Sequence, residues 1–464
     1  MPHNIRIVST YPPRRCGIGT FSRDLANALG HFTAQVGHIG VAAIDKDKTP
    51  YDIPVDLTID QYDPESWRKS TADMMARARE GANPTIVLLQ HEYGLDPDED
   101  GHDAKGTNFV AMARAFHEQE LMTLVYLHTL LHDPNQHQRK VLQDLADHSD
   151  GLLVTTESAV DMLASDTYGI KRSKIKHIDH GIRMQDPSEY DRLATKREYG
   201  LEDGLLITTL GLRSPDKGVQ YSVQAYARFL NESCTQAQRE SLIYLIAGQC
   251  HPEFVRAEGG KSYREYQATM KQVLQDCKLK WCEVKELGAS DVARYDVVVV
   301  DAFLDERTLL ELYGATNVMV LPYLNMQQIS SGVLADTVGA GRVAIATKFV
   351  YALELLLPNK RGETGVIIDP HARGILVDPG EPSIEQIAQA LDYLLFNRDE
   401  RLEMERRAHG RGRQMTWDNT AWEVLRHIEF LKEKREIVTG RGIELTRERE
   451  SIFEKRNARL LMRP

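Results

Sequence analysis

The feature that most constrains this chain is an alternation of strand-sized apolar runs with helical stretches, which starts a second time in the latter half. In the first half, apolar runs of strand length lie at Ile5–Ser9, Thr85–Leu89, Leu121–Leu127 and Gly151–Thr155, and helical patterns such as Thr20–Leu29 lie between them. Such alternation predicts right-handed strand–helix–strand units, and these build a parallel sheet.

The same pattern restarts after a polar, charged stretch at residues 185–202. Strand-like runs follow at Leu205–Leu210, Leu242–Ala247 and Asn317–Leu321, with a helical pattern at Lys217–Leu230 between the first two. Two similar halves predict an α/β protein with two Rossmann-like domains that face each other across a cleft. A length of 464 residues is typical of two or three domains.

We therefore divide the chain into an N-terminal domain at residues 1–184, a second domain at 185–416 and a C-terminal segment at 417–464. The last segment contains no strand signal. Its first part, Trp417–Leu431, has apolar residues at helical spacing, and the remainder is densely charged. This remainder is either a helical extension, which would be a candidate surface for pairing with a second copy, or a solvated tail.

Composition excludes several classes of protein. A net charge of −11 argues against a broad nucleic-acid-binding surface. The apolar runs are far shorter than the roughly 20 residues that span a bilayer, although peripheral membrane contact stays compatible with the sequence. Five cysteines without a CxxC pair favour a reducing cytoplasm over a disulfide scaffold or a structural zinc site.

The first candidate motif is Gly17-Ile18-Gly19, between the first strand and the first helix. Glycine permits close approach of a ligand to the backbone, and the following helix N-terminus favours anions. The dinucleotide-binding fingerprint requires a third glycine where this chain has Ser22. A glycine loop facing the cleft is therefore the preferred interpretation, and a tight turn without a ligand is the alternative.

The second motif is GLRSPDKG at residues 211–218, which also follows a strand and precedes a helix. Arg213 and Lys217 are thereby placed at the carboxyl edge of the second sheet, where α/β folds bind ligands. A planar guanidinium and an ammonium at this edge suit a diphosphate. The alternative is a pair of solvated loop cations.

The third motif, QISSGVLAD, runs from Gln328 to Asp336. Ser331 and Gly332 open a predicted helix, whose first main-chain N–H groups are free to bind a phosphate or sugar. Asp336 follows about one and a half turns inside the helix, where its carboxylate could accept hydrogen bonds from vicinal hydroxyls. An ordinary serine N-cap and a solvated aspartate are the alternative interpretation.

Two histidine-containing segments follow first-half strands. His128 and His132 have the spacing of a helical metal pair, but the glutamate of HExxH is absent, so a structural histidine or one that bonds a substrate hydroxyl is preferred. His91 and Glu92 form a similar polar group after another strand. They are candidate acceptor-side residues, with a solvated turn as the alternative. No metal site is expected.

Taken together, these segments resemble retaining glycosyltransferases of the GT-B fold, specifically family 4 and a mannosyltransferase-like subgroup within it. The resemblance covers about residues 4–430. Its matching phrases, in order, are STYPPRRCGIGTFSRDLANAL, LLQHEYGL, LHTLLHDPNQHQRKVLQDL, IDHGI, LGLRSPDKG, LPYLNMQQISSGVLADTVGAG and ARGILVDPGEP. Several ordered motifs are far more specific than any one of them.

The resemblance implies roles for the candidate residues. Arg213 and Lys217 match the pair that holds the donor diphosphate, and His128 matches the histidine that bonds the donor sugar. Further implied donor-binding residues are the glycine loop at Gly17 and Gly19, the turn at Ser331 and Gly332, and Asp336, which matches the second acid of the E-x7-E motif at the ribose.

The sequence departs from that motif, because Gln328 replaces the first acid and an aspartate shortens the second. An amide still bonds sugar hydroxyls but places no negative charge near the reacting sugar.

The resulting expectation is a metal-independent, retaining transfer of a hexose from a nucleotide sugar to a hydroxyl of a sugar or oligosaccharide. No cofactor is expected, since the nucleotide sugar is a substrate; GDP-mannose is favoured and UDP-glucose is the runner-up. The alternatives are a sugar phosphorylase or nucleotide-sugar epimerase on the same fold, and a non-catalytic nucleotide-sugar-binding subunit.

Overall fold

A computed structural model describes residues 2–51, 55–96, 106–183, 192–199, 204–287, 295–357 and 363–438. Within these ranges, two seven-stranded sheets are present, and their strand pairs are parallel. The predicted α/β architecture with two Rossmann-like domains is therefore confirmed. The predicted boundary at 184/185 and the charged end at 439–464 lie outside the described residues.

The N-terminal sheet has the strand order β3-β2-β1-β4-β5-β6-β7. Helices cover both of its faces, so its central strands are buried along their whole length rather than alternating between buried and exposed residues. The strands are β1 (His3–Ser9), β2 (Val36–Asp45), β3 (Leu57–Asp60), β4 (Thr85–His91), β5 (Met122–Leu127), β6 (Gly151–Val154) and β7 (Ile175–His177), and the helices are α1 (Gly17–Gly30), α2 (Pro64–Glu80), α3 (Thr107–Glu118), α4 (Gln136–Asp147) and α5 (Glu157–Ala164).

The second sheet has the order β10-β11-β9-β8-β12-β13-β14. Its strands are β8 (Leu205–Leu210), β9 (Leu242–Ala247), β10 (Trp281–Val284), β11 (Val297–Val300), β12 (Val318–Leu321), β13 (Val343–Thr347) and β14 (Gly374–Val377). Its helices are α6 (Arg192–Glu198), α7 (Val219–Glu232), α8 (Gln236–Glu240), α9 (Pro252–Arg256), α10 (Lys261–Asp276), α11 (Glu306–Ala315), α12 (Gly332–Gly339), α13 (Val350–Leu356), α14 (Pro382–Phe396) and α15 (Arg398–Gly412).

The chain crosses between the domains twice, and the two crossings touch. Ile182 N donates a hydrogen bond to Met415 O at 2.8 Å, and Ile182 O accepts one from Trp417 N at 3.3 Å. Gly181 is required at this point, because a Cβ there would lie 2.2 Å from the Trp417 ring. The final described helix, α16 (Trp417–Val438), returns to the N-terminal domain and buries Leu425 and Ile428 in the same core as the apolar face of α1.

None of the helices in the described ranges combines the length and apolarity needed to cross a bilayer.

Candidate functional site

The loop between β8 and α7 carries Arg213 and Lys217, and glycines shape it. Gly211 and Gly218 have φ angles of 108° and 62°, which favour glycine. A Cβ on Gly218 would lie 2.1 Å from Pro322 O, so the loop packs directly on the segment after β12. As a result, Lys217 Nζ lies 4.0 Å from the centre of the Tyr323 ring, a cation–π contact.

Arg213 is more enclosed than the sequence suggested. Only 5% of it is exposed, its Nε donates to Gly248 O at 2.6 Å, and its Nη2 pairs with Asp301. Asp301 also accepts from Lys285 at 2.8 Å, and the two cations hold the pKa of Asp301 below its usual value against the opposing effect of burial. A diphosphate at this loop would therefore meet a guanidinium whose charge is already shared with a carboxylate.

The N-terminus of α12 lies against this loop. Ser331 caps the helix by accepting from Leu334 N at 3.3 Å, which is the N-cap that the alternative interpretation of this motif described. Val333 Cγ2 lies 3.1 Å from where a Cβ on Gly211 would be. The second and third sequence motifs are thus adjacent in space. The side-chain amide of Gln328 donates to Ser330 O at 2.7 Å, so this glutamine braces the turn.

Asp336 lies half-buried on α12, facing the crossing segment. Burial raises the pKa of Asp336 to about 7, while the charge and main-chain N–H of Arg183 oppose the rise. Near neutral pH this side chain is therefore close to half-protonated, and it has Arg183 as its electrostatic partner.

On the N-terminal side, Gly17 and Gly19 form the first turn of α1 rather than a loop before it, as the sequence had suggested. Gly17 faces open space, since a Cβ there would meet no atom within 4 Å. Gly19 is buried, and its Cβ position lies 3.4 Å from the Tyr11 main chain. The helix start is therefore open to a ligand at Gly17 only.

His128 follows β5 and contacts Phe21 of α1, with ring centres 4.9 Å apart. Its Nε2 lies 2.7 Å from the Gln90 side-chain oxygen. Burial lowers the pKa of His128 to about 3, and His180 and His91 contribute in the same direction, so the ring is neutral. His132 lies in the same loop, and its main-chain N–H donates to Gln327 at 3.1 Å.

His91 does not line the cleft, and this corrects the prediction of an acceptor-side role. It is 0% exposed, its ring packs 5.4 Å from Phe109 on the opposite face of the sheet from Gln90, and burial lowers its pKa to about 3. The reason is strand geometry, because successive side chains point to opposite faces. Glu92 is half-buried and accepts a hydrogen bond from Thr129.

His180 is a residue that the sequence motifs contained, in IDHGI, without assigning it a role. It is 9% exposed and lies between Phe21, at 5.1 Å, and Trp417, at 5.6 Å between ring centres. Its ring reaches within 3.8 Å of where a Cβ on Gly332 would be. Burial lowers the pKa of His180 to about 4, so a second neutral histidine lies beside the start of α12.

Side chains from both domains also meet across the cleft. Arg15 Nη1 donates to Gln249 at 3.1 Å, and its guanidinium lies 4.9 Å from the centre of the Phe303 ring. Arg183 pairs with Asp24 of α1 at 2.7 Å and with Glu306 of α11 at 3.2 Å. Motifs that the sequence placed at four separate strand ends are therefore brought to one inter-domain space.

A groove of about 440 Å³ lies along the same cleft, between α5 and α13. Its size is within the usual range for small-molecule sites. It begins at His132, in the loop that also carries His128. Its lining does not include the loop with Arg213 and Lys217 or the start of α12. Hydroxyl and charged groups line it next to an apolar floor, namely Ser158, Asp161, Ser165, Thr167 and Lys348 beside Met162, Met326, Val350 and Leu353.

Within the described parts of the chain, no three or more His, Cys, Asp or Glu side chains are grouped closely enough to hold a metal ion.

The fold is similar to that of several proteins of known structure. No family model and no curated protein matches the sequence. Among solved structures, HepE of Anabaena in complex with UDP is 13% identical, with a TM-score of 0.64, over 92% of this chain and 99% of that one. An α,α-trehalose-phosphate synthase of Burkholderia xenovorans in complex with glucose-6-phosphate is 14% identical, with a TM-score of 0.64, over 92% and 100%.

A glycosyltransferase of Rickettsia africae is 13% identical, with a TM-score of 0.63, over 93% of this chain and 99% of that one. Likeness at this level of identity concerns the fold. The chain has the two-domain GT-B fold that its motif order predicts, and it spans nearly the full length of these three structures.

Proposed function

We propose that this chain transfers a hexose from a nucleoside-diphosphate sugar to a hydroxyl group of a carbohydrate acceptor. One observation carries the proposal: the loop with Lys217, the start of α12, and the two buried histidines His128 and His180 meet in one cleft. Contacts at Gly211–Val333, Gly332–His180 and Phe21–His128 link these parts without a break. The fold shared with glycosyltransferases of known structure supports the same conclusion.

In the proposed reaction, the protein accelerates transfer by stabilising negative charge on the leaving group. Departure of a nucleoside diphosphate leaves negative charge on the leaving oxygen, and Lys217, Arg213 and the free N–H groups at the start of α12 would stabilise it. We assign this role to the protein's own groups, which makes the proposed transfer metal-independent. A leaving phosphate that accepts the proton of the incoming hydroxyl gives a front-face reaction with retained configuration, as the sequence resemblance implies.

The donor is proposed on sequence grounds as GDP-mannose. UDP-glucose is the competing donor, favoured by the fact that HepE of Anabaena was solved with UDP and with UDP-glucose. A carbohydrate acceptor is proposed because the groove between α5 and α13 offers hydroxyls and charges beside an apolar floor. Sugar phosphate formation from inorganic phosphate, or donor isomerisation without acceptor, would instead indicate a phosphorylase or an epimerase.

A thermal-shift panel with GDP, UDP, ADP and their sugars tests the proposal. A ligand present at about 100 times its dissociation constant stabilises the folded state by about 2.7 kcal/mol, which is readily measured. We expect one nucleotide and its sugar to shift the melting temperature well beyond the others. Donor binding without transfer to any acceptor would identify a non-catalytic subunit, an outcome consistent with Gln328 in place of an acid.

Lys217→Ala provides the matched activity test. Removal of one group that stabilises transition-state charge typically lowers turnover by about 100-fold or more. We expect that loss together with weaker nucleoside-diphosphate binding. Lys271→Ala, an exposed lysine on α10 of the same domain, is the control and should behave as the wild type. Near-normal turnover by the Lys217 variant would contradict the assignment.

A further inference from the structure

Gln90 is the residue before His91 on β4. Gln90 is 0% exposed, and its strand partner is Tyr126 of β5. His128 follows Tyr126 by two positions. The two side chains therefore share one face of the sheet, which is also the face that packs on Phe21 of α1. Gln90 thus lies against His128 and is fully buried.

The hydrogen bond between Gln90 and His128 determines which ring nitrogen of His128 carries the proton. Gln90 Oε1 and His128 Nε2 are 2.7 Å apart. The Gln90 amide is oriented with Oε1 toward the ring and with its Nε2 buried and without a hydrogen-bond partner. In this orientation the amide oxygen accepts, so His128 Nε2 carries the hydrogen, and in a neutral ring the lone pair is on Nδ1. Phe21 and Tyr126 hold the ring plane, with centroid distances of 4.9 and 5.9 Å.

The other ring nitrogen is free to act. In the described part of the chain, Nδ1 of His128 makes no hydrogen bond, yet it is not among the buried polar atoms that lack a partner. It is therefore accessible, and the ring lies at the carboxyl edge of the sheet, facing the cleft. The titratable groups that face His128 are His180 from the crossing segment and Tyr126 from β5, and the His91 ring, on the other face of the sheet, lies near enough to act on its pKa.

We propose that Gln90 is a positioning residue, which holds His128 in the neutral Nε2–H form so that Nδ1 accepts a hydrogen bond from a hydroxyl of the transferred sugar. The second half of this statement depends on the proposed function. The first half does not, since it concerns the resting protein. A histidine fixed in this way acts as an acceptor and cannot supply a proton, so it selects a sugar hydroxyl by geometry.

Nitrogen-15 NMR of histidine-labelled protein tests the resting state without substrate. The His128 signal, assigned as the one that a His128→Asn variant loses, should have the shifts of a neutral Nε2–H ring between pH 6 and 8. In Gln90→Leu the share of the Nδ1–H form should rise, because the ring then keeps only the intrinsic preference of neutral imidazole for Nε2–H. An Nδ1–H or cationic ring in the wild type would overturn the proposal, whether or not the enzyme transfers sugar.

Kinetics of Gln90→Leu test the consequence. Loss of a fixed contact geometry costs on the order of 10- to 100-fold in rate. We expect kcat to fall by that factor while KM for the acceptor stays unchanged. Gln143→Leu, which removes another half-buried amide of the same domain, is the control. An unchanged kcat in the Gln90 variant would overturn the proposal.

Gln90→Glu gives a result that a merely structural role would not produce. A buried glutamate and histidine with no net charge form either an ion pair or a carboxylic acid that donates to Nε2, and in both states Nδ1 carries a proton. Transfer should therefore be low near neutral pH and rise as the pair loses its proton at higher pH. The pH profile of the wild type should show no such rise in transfer rate. A Gln90→Glu profile parallel to the wild type would contradict the proposal.

If the wild type transfers no sugar from any nucleotide donor, the proposed function fails. The NMR result then still decides whether Gln90 sets the state of His128, so the two failures are distinguishable.

Discussion

At the scale of single residues, burial decides what the charged groups of the cleft can do. Asp336 and the two histidines His128 and His180 are all enclosed enough to disfavour their charged forms, which raises the pKa of the acid and lowers those of the bases. Lys217 keeps partial access to solvent and lies over the Tyr323 ring. Burial therefore favours the neutral forms of these three groups, and the loop with Arg213 and Lys217 brings two cationic side chains to the cleft.

The raised pKa of Asp336 predicts a pH-dependent effect of Asp336→Asn on stability. An acid with a folded pKa of about 7 stabilises the folded state fully at low pH and loses that contribution as pH rises toward 7. The asparagine variant should therefore gain stability relative to the wild type between about pH 4 and pH 7, on the order of 2 kcal/mol after discounting for partial solvent access. Denaturant unfolding at both pH values measures this gain. A constant difference would contradict the prediction.

At the scale of elements, close main-chain packing positions the loops. The loop after β8 rests on the segment after β12 at Gly218, and on the loop after β9 where a Cβ on Gly248 would lie 2.0 Å from Gly211 O. No side chain can be accommodated at either contact. The loop with Arg213 and Lys217 is thereby held in place beside the start of α12, and a fixed arrangement of this kind suits a diphosphate site.

Gly218→Ala tests this packing against a matched glycine. Gly380 has a similar φ, 74°, but a Cβ there would meet no atom within 4 Å. Gly380→Ala should cost only the left-handed penalty of about 1–2 kcal/mol, whereas Gly218→Ala should cost about 3 kcal/mol or more, because the Pro322 carbonyl must also move. Thermal unfolding of both variants decides the matter, and equal losses would show that the loop yields easily.

At the scale of the whole molecule, hydrogen bonds and ion pairs hold the two domains closed. The Glu354 carboxylate of α13 accepts from Glu157 N at 2.8 Å, Ser158 N at 3.1 Å and Ser158 Oγ at 2.9 Å, which satisfies the first turn of α5 in the other domain. Thr155 Oγ1 donates to Ile329 O at 2.8 Å nearby. Such polar contacts are exchangeable with water, so we expect the two domains to separate in part of the free protein.

Glu354→Ala should shift the population of free protein toward an open form. Because a ligand that needs the closed form binds in proportion to its population, we expect nucleotide affinity to fall by about 3- to 10-fold, and the radius of gyration from X-ray scattering to rise. Glu385→Ala removes an exposed carboxylate that pairs within one domain, at 3.9 Å from Arg228, and serves as the control. Unchanged affinity and radius would show that other contacts govern closure.

The sequence by itself determined the two parallel sheets and the strand ends that carry the candidate site residues. These depend on local apolar patterning and on the rule that parallel strands end at one edge, so the confirmed fold class could be predicted, whereas a serine N-cap at Ser331 was one of two interpretations of its motif. It also identified the glycine motifs. It placed Gly17 and Gly19 before α1 rather than within it, because helix ends are the least certain part of such predictions.

Only the tertiary structure decided which neighbours share a face or a charge. Gln90 and His91 are adjacent in sequence, but the pleat turns one toward His128 and the other into the core, and nothing in the sequence shows which face the cleft adjoins. Arg213 pairs with Asp301, 88 positions away, and His180 meets Phe21 and Gly332 only because both crossings bring the domains together. Contacts of this kind arise from packing between distant segments, whereas the strand ends that supply them are set by local patterning.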